Sequence, residues 1–355
     1  MREGVSWARP HPLVLTELEQ DLEAYRGEDL LSHETDSLIT RWKEQVSREP
    51  ARFIQEDGSV RRKALRDFRR LQIFVPDNPK HDPSSWDPQN WLGGGRRGDR
   101  RMLRECLDLF LEFGEEDLLR KYPCHPAGNP FVFQYKGYRF THRWLKHLYS
   151  LGLFNRVLAP RLPPDFTCLD IGSSYGVMTY LLRREHPHSR HILIDFPEQL
   201  LLARYFLKSS LPALRVASLS KWGGGKSLTR SELLGYDVIL LPCGSYGRIE
   251  PGFVDVVMNF ASLGEMTRAG FERYLDSEQF RQARFFFTAN RVESRPTYDT
   301  DLTILDYPIW DQEKKLHFGV SPLLTHFNWY RRQALFFYER MNSHPYFEYI
   351  GRISG

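Results

Sequence analysis

Apolar residues along the chain change their period near residue 166. Before that point they recur at helical spacing. Leu13, Leu15, Leu18, Leu22 and Tyr25 form one stripe within 13–47, and Leu103, Cys106, Leu107, Phe110 and Leu111 share a face over 102–119. The stretches between, 47–58 and 76–101, are broken by turn-forming residues and read as loops. Over 125–154 the pattern predicts a turn at Gly128-Asn129-Pro130, a hairpin or extended arm over 131–138 and a helix over 141–149. After residue 166, short apolar runs alternate with helical stretches. Strands are expected over 167–171, 191–194, 238–241, 255–260 and 285–289, with a shorter one over 214–217, and helices follow Gly176, Pro197 and Thr267. Such alternation predicts a doubly wound, Rossmann-like α/β fold, its mostly parallel sheet covered by helices on both faces. The end, 303–350, is expected to add two strands and a closing helix.

The proline-rich stretch 159–164 divides the chain into a mainly helical cap or oligomerisation region, 1–158, and a sheet domain, 159–355. A length of 355 residues accommodates both. Hydrophobic content of 41% and charged content of 26% are ordinary for a globular protein, so neither changes the picture. Aromatic content of 14% is high and points to a ring-lined pocket or interface. The net charge of +4 permits an anionic partner without demanding one. Cys106, Cys124, Cys168 and Cys243 form no paired or zinc-ligand spacing. The first residues carry no apolar targeting segment, and no apolar run has membrane-spanning length. A cytoplasmic, reduced protein is expected.

The chemistry concentrates between residues 166 and 197, where strand, glycine turn, helix and second strand follow one another. The turn runs Asp170-Ile171-Gly172-Ser173-Ser174-Tyr175-Gly176. A dinucleotide fold wants three glycines there, so that backbone amides can approach a pyrophosphate. Here a serine replaces the middle glycine and an acid stands two residues before the first. That acid repels a pyrophosphate but suits an ammonium group. S-adenosylmethionine has the ammonium, lacks phosphate, and carries a ribose diol that Asp195, at the end of the second strand, can hold by two hydrogen bonds.

Other candidates are weighed by their surroundings. Gly93-Gly94-Gly95-Arg96-Arg97 and the glycines of 222–227 lack the spacing of a phosphate loop. The basic stretch 61–74 reads more readily as a solvated helix face than as a phosphate grip. Tyr135, Tyr138, Phe140, His142, Arg143 and Trp144 either line a substrate wall or pack on the sheet. Glu265, after the strand 255–260, is positioned to accept a hydroxyl proton; capping a helix or pairing with an arginine is the alternative. His317, His326 and Asp301, expected in loops after Asn290-Arg291, are further bases. Tyr298-Asp299-Thr300-Asp301 offers oxygen ligands to a divalent metal, which is possible but not favoured. Pro242-Cys243 stands one strand too early for a cytosine-methylating nucleophile, and no amino-methylation motif follows Asn259. Nucleic acid is therefore not the expected partner.

The segments CLDIGSSYG, ILIDFPEQL, VILLP, VDVVMNFASLGEM and FFFTANR together resemble the sugar O-methyltransferases, a family of class I S-adenosylmethionine-dependent enzymes. The resemblance spans about residues 125–320. It implies methyl transfer to a hydroxyl of a sugar, glycoside or glycan. A non-sugar natural product, or a catalytically silent partner subunit, stand as alternatives. With the turn chemistry, it gives a cofactor-binding set of Asp170, Gly172, Ser174, Tyr175, Gly176, Asp195, Phe196, Pro242, Asn259 and Ser262. The catalytic candidates are Glu265, His317 and His326. The expected partner is a small-molecule acceptor, with neither nucleic acid nor membrane, and a homo-oligomer is possible.

Overall fold

The computed structural model describes residues 65–71, 95–217, 227–294, 300–327, 331–332, 339–340 and 345–353. The expected stripe over 13–47 and the loop over 47–58 lie outside these residues, as do 222–226 and Tyr298-Asp299. After a short helix, Phe68–Leu71, come α1 (Gly95–Glu112), α2 (Glu116–Lys121), the hairpin β1 (Phe133–Tyr135) and β2 (Tyr138–Phe140), and α3 (His142–Val157). The sheet region continues with β3 (Thr167–Ile171), α4 (Val177–Glu185), β4 (Arg190–Asp195), α5 (Pro197–Ser210), β5 (Val216–Ala217), α6 (Arg230–Leu234) and β6 (Val238–Pro242). It ends with β7 (Val256–Phe260), α7 (Arg268–Leu275), α8 (Glu278–Arg281), β8 (Phe285–Arg291), β9 (Lys315–Val320), α9 (Pro322–Phe327) and β10 (Tyr346–Arg352).

Among the described residues the main sheet has eight strands in the order β5-β6-β4-β3-β7-β8-β10-β9. All run parallel except β10, which is antiparallel to both β8 and β9. This is the doubly wound, Rossmann-like fold expected. From β3 the chain winds outward through β4 to β6, then returns to place β7 on β3's other side. The crevice at that reversal, outside the carboxyl ends of β3 and β7, is where such sheets bind ligands.

Strand side chains alternate between two apolar clusters, one on each face. Cys168, Leu193, Leu240, Met258 and Phe287 face the cluster that includes α3, α4 and α5. Leu169, Ile192, Ile194, Val257 and Phe286 face the other, with Phe271 and Tyr274 of α7. Every residue of β3, β6 and β8 is buried, which is why these strands read as unbroken apolar runs. The first cluster also takes in Leu103, Phe110, Trp144 and Leu148, so α1 and α3 share one core with the sheet.

Five expectations are corrected. The helix foreseen over 102–119 is two, because Gly114 between them adopts a left-handed φ of 75°. Residues 95–101, expected as loop, form the start of α1. His317 and His326 lie on β9 and α9, not in loops, and the chain closes on a strand, α9 falling before it. The basic stretch is no solvated face at Arg69, which is 1% exposed. Its guanidinium donates to the carbonyls of His125 (2.5 Å) and Ala127 (3.2 Å). It lies over the rings of Trp144, Tyr175 and Phe206 at 5.7, 5.5 and 6.0 Å.

Candidate active site

The glycine turn is shaped by three left-handed residues, Gly172, Ser174 and Gly176, with φ of 73°, 52° and 79°. The amides of Gly172 and Ser173 donate to the Ile194 carbonyl at 2.8 and 3.2 Å, fastening the turn to β4. The Ser174 amide donates to Asp195 Oδ2 at 2.6 Å, and the Phe196 amide to Oδ1 at 2.7 Å. Each Asp195 oxygen thus accepts one backbone hydrogen, which fixes the carboxylate at the end of β4 beside the turn. Gly172 is needed for space as well as for its φ. A Cβ there would run into the Ser262 side chain. Ser262 reaches that position because Ala261 turns the chain at a φ of 64°, its amide on the Ala289 carbonyl at 2.8 Å.

Beneath the turn, Asp170 is 2% exposed, and no hydrogen bond reaches its carboxyl among the described residues. Burial, and then the charge of Asp195, push it up to about 8. Such a carboxyl is neutral at rest, and a cation beside it would favour its ionised form. An ammonium group against Asp170 and a diol against Asp195 therefore fit the residues present.

Asn259 holds the crevice in shape. Its Nδ2 donates to the Ile171 carbonyl (2.7 Å) and to Ser262 Oγ (2.5 Å). Its Oδ1 accepts from Asn290 Nδ2 (2.8 Å) and the Leu263 amide (3.2 Å). The side chain is fully buried with both donors and both lone pairs used, so it positions β3, β7 and β8 and has nothing left for a ligand. Ser262 Oγ also donates to the Ile171 carbonyl at 3.3 Å. Tyr175 likewise turns its ring inward, 5.1 Å from Phe68 and 5.2 Å from Phe206, leaving only its backbone to the turn. Phe196, partly buried, precedes α5, and buried Pro242 ends β6 in register with Asp195.

The catalytic candidates are not brought together. Glu265, in the short turn Leu263–Glu265 after β7, pairs through Oε1 with Arg291 Nη2 at 2.6 Å. His317 Nε2 lies 3.0 Å from Oε1 of Glu348, a buried carboxylate that also accepts from the Tyr149 hydroxyl at 2.7 Å. Burial, and then Glu348, push the Tyr149 phenol up, so it stays a donor. His317 pairs across the sheet with Ile350, which is opposite Phe287, below the strand ends. The side chain of His326 lies outside the described residues. Glu348, which is 31 residues from His317, was not foreseen and no local pattern pointed to it.

Of the aromatic-basic stretch, Phe140, His142 and Trp144 are buried and serve packing. Trp144 Nε1 donates to the Tyr122 carbonyl at 2.8 Å. Arg143 instead reaches the turn, its Nη1 donating to Ser174 Oγ at 3.4 Å. Asp301 pairs with Arg268 at 3.0 Å. Among the described residues no group of three or more His, Cys, Asp or Glu side chains is placed to hold a metal ion. No helix among them is long and apolar enough to cross a membrane.

No protein-family model matches the chain, and neither does any curated protein. Solved structures that resemble it include methyltransferases. Phosphoethanolamine N-methyltransferase 2 of Haemonchus contortus, with phosphomonomethylethanolamine and S-adenosylhomocysteine, is 10% identical over 58% of this chain at a TM-score of 0.37. A SAM-dependent methyltransferase of Geobacter sulfurreducens, with S-adenosylhomocysteine, is 19% identical over 42% of the chain at 0.26. The match spans 52% of the first structure and 49% of the second. Fibrillarin in its Nop5p complex is 14% identical, over 65% of this chain and 91% of that one, at 0.34.

Proposed function

We propose that the protein is an S-adenosylmethionine-dependent methyltransferase acting on a hydroxyl of a sugar, glycoside or glycan. The observation that carries the cofactor is Asp170, a buried carboxyl that no hydrogen bond reaches among the described residues, beside a glycine turn and one strand from Asp195. When bound, the cofactor supplies a methyl group made electrophilic by its sulfonium. The chain's own part is to hold it: Asp170 for the ammonium, Asp195 for the diol, and the Gly172–Gly176 amides for close approach. The hydroxyl acceptor is supported by the sequence resemblance. A non-sugar acceptor would use the same machinery. A catalytically silent partner subunit would retain Asp170 and Asp195 but tolerate loss of Glu265, so activity data separate that reading. The acceptor is taken to be a small molecule in the cytoplasm, with neither nucleic acid nor membrane as partner and a divalent metal not favoured, and residues 1–158 are the region for any self-association.

Calorimetry tests the cofactor. S-adenosylmethionine and S-adenosylhomocysteine should bind and NAD should not. Asp195→Ala should weaken binding by about 1.5–3 kcal/mol, the scale of a charge-assisted hydrogen bond. Tight NAD binding with no response to S-adenosylmethionine would sink the reading. A panel of nucleotide sugars and glycosides, assayed with and without chelator, tests the acceptor.

A further inference from the structure

Arg143 and His147 stand one turn apart on α3 and therefore on the same side of it. Arg143 donates to Ser174 in the glycine turn and lies 5.7 Å from the Tyr175 ring. The His147 ring lies 6.4 Å from that of Phe260, the last residue of β7. One edge of α3 therefore runs from the glycine turn to the end of β7, along the crevice at the sheet's reversal. We infer that His147 is the proton acceptor for the methyl-accepting hydroxyl, a role that rests on the methyl-transfer reading above.

The tautomer follows from geometry. His147 Nδ1 lies 2.7 Å from the Arg143 carbonyl oxygen, which can only accept, so Nδ1 carries the hydrogen. In the neutral ring, Nε2 then holds a lone pair. No hydrogen bond reaches Nε2 among the described residues, and the side chain is partly exposed. Burial first, then the charges of Lys146 and Arg143, hold the ring well below the usual imidazole range; His142 adds to this, and only the Arg143 carbonyl opposes it. These titratable neighbours all belong to α3, while β7 presents the uncharged Phe260. The ring is thus in its basic form at neutral pH. The other candidates are engaged: Glu265 with Arg291, His317 with Glu348.

The step balances. The acceptor's O–H bond breaks, its hydrogen passes to Nε2, and the electron pair stays on oxygen to form the bond to the methyl carbon. The carbon–sulfur pair returns to sulfur. Positive charge moves from sulfonium to imidazolium, so the total charge of the site is unchanged. The Arg143 carbonyl holds the ring throughout; the low proton affinity of His147 makes it a weaker base than a free imidazole and favours release of the proton to solvent afterwards.

The test uses the full chain labelled with [15N]histidine. At pH 7 the His147 resonances should show a neutral ring with hydrogen on Nδ1, staying neutral well below about pH 6.5, where free imidazole titrates. A cationic ring, or hydrogen on Nε2, overturns the proposal without any acceptor in hand. His147→Asn can still donate to the Arg143 carbonyl but is not basic, and His147→Gln is the second variant if the first does not fold. With tritiated S-adenosylmethionine and a pool of nucleotide sugars and methyl glycosides, transfer should fall by about 10²–10⁴-fold. S-adenosylhomocysteine affinity should be unchanged. The wild-type rate should stay level as pH falls through the usual imidazole range. Retention of more than about a third of the rate by a folded variant, outside the general-base range, overturns the proposal. If the wild type binds no S-adenosylhomocysteine, the cofactor reading has failed instead, and the resonances still report the tautomer.

Discussion

Asp170 and Asp195 stand on neighbouring parallel strands, Asp170 in register with Leu193, two residues before Asp195. Asp195 is held by two backbone amides while no hydrogen bond reaches the Asp170 carboxyl among the described residues, and the charge of the first adds to burial in keeping the second protonated up to about 8. The pair sets a carboxylate anchored by backbone beside one held in its protonated form.

Binding of S-adenosylhomocysteine should therefore release a proton near pH 7, because its ammonium favours the Asp170 carboxylate. Affinity should climb from about pH 6 towards pH 8 and fall beyond, where an α-amino group of pKa about 8 loses its own charge. Without ligand, the folded chain binds more protons than the unfolded one between the usual carboxylate value of 3.8 and about 8. Stability from this group is thus full below 3.8 and is lost as pH rises through 8. Asp170→Asn should raise the melting temperature at pH 8, weaken binding and abolish the rising limb. Equal binding heats in two buffers of different ionisation enthalpy would refute it.

The contact between Gly172 and Ser262 gives a second test. Gly172→Ala places a Cβ at a φ of 73° and against the Ser262 side chain. The φ alone should cost about 1–2 kcal/mol, and the displaced turn should lose ligand affinity. Ser262→Gly in the same chain clears the Cβ's neighbour and should restore part of both losses. Purely additive effects in a double-mutant cycle would show that the two residues are not coupled.

What was legible from residues alone follows from range. β3, β4, β6, β7 and β8 could be placed because a strand buried on both faces is a continuous apolar run. The glycine turn could be read because its left-handed residues and its acid lie within seven positions. Pairings such as Glu265 with Arg291, or Glu348 with His317 and Tyr149, join residues that only the sheet brings together. Asn259 enters the cofactor-binding set through the family resemblance, but four protein partners use its side chain up. Arg69 misled most: charge patterning assigns arginine to water and cannot show an aromatic cage built from Trp144, Tyr175 and Phe206.

Glu265 is expected to be a positioning residue. Its carboxylate meets Arg291 at 2.6 Å, and their side chains are 19% and 7% exposed. Glu265→Gln keeps shape and one hydrogen bond but leaves a mostly buried guanidinium without its counter-charge. The variant should lose about 2–4 kcal/mol of stability while keeping more than about a third of the methyl-transfer rate. A loss of about 10²-fold or more in a variant that melts like wild type would make Glu265 the base instead.

Arg69 ties the short helix Phe68–Leu71 to the glycine turn through Tyr175, whose ring also meets Phe68 edge-on. Arg69→Met retains the stem and much of the volume. It removes hydrogen bonds to the His125 and Ala127 carbonyls and the cation over three rings. A loss of about 2–4 kcal/mol is expected, since each buried carbonyl left bare costs about 1–3 kcal/mol and the smaller group is easier to bury. Arg69→Lys should recover little, because an ammonium lacks the planar fork that serves two carbonyls and lies flat on the rings. Because Tyr175 is the link, both variants should also weaken S-adenosylhomocysteine binding, although Arg69 is separated from the ligand by that ring. Denaturant unfolding and calorimetry on the same preparations check the two effects together. Lower stability with unchanged affinity would show that the cage supports the fold without shaping the turn.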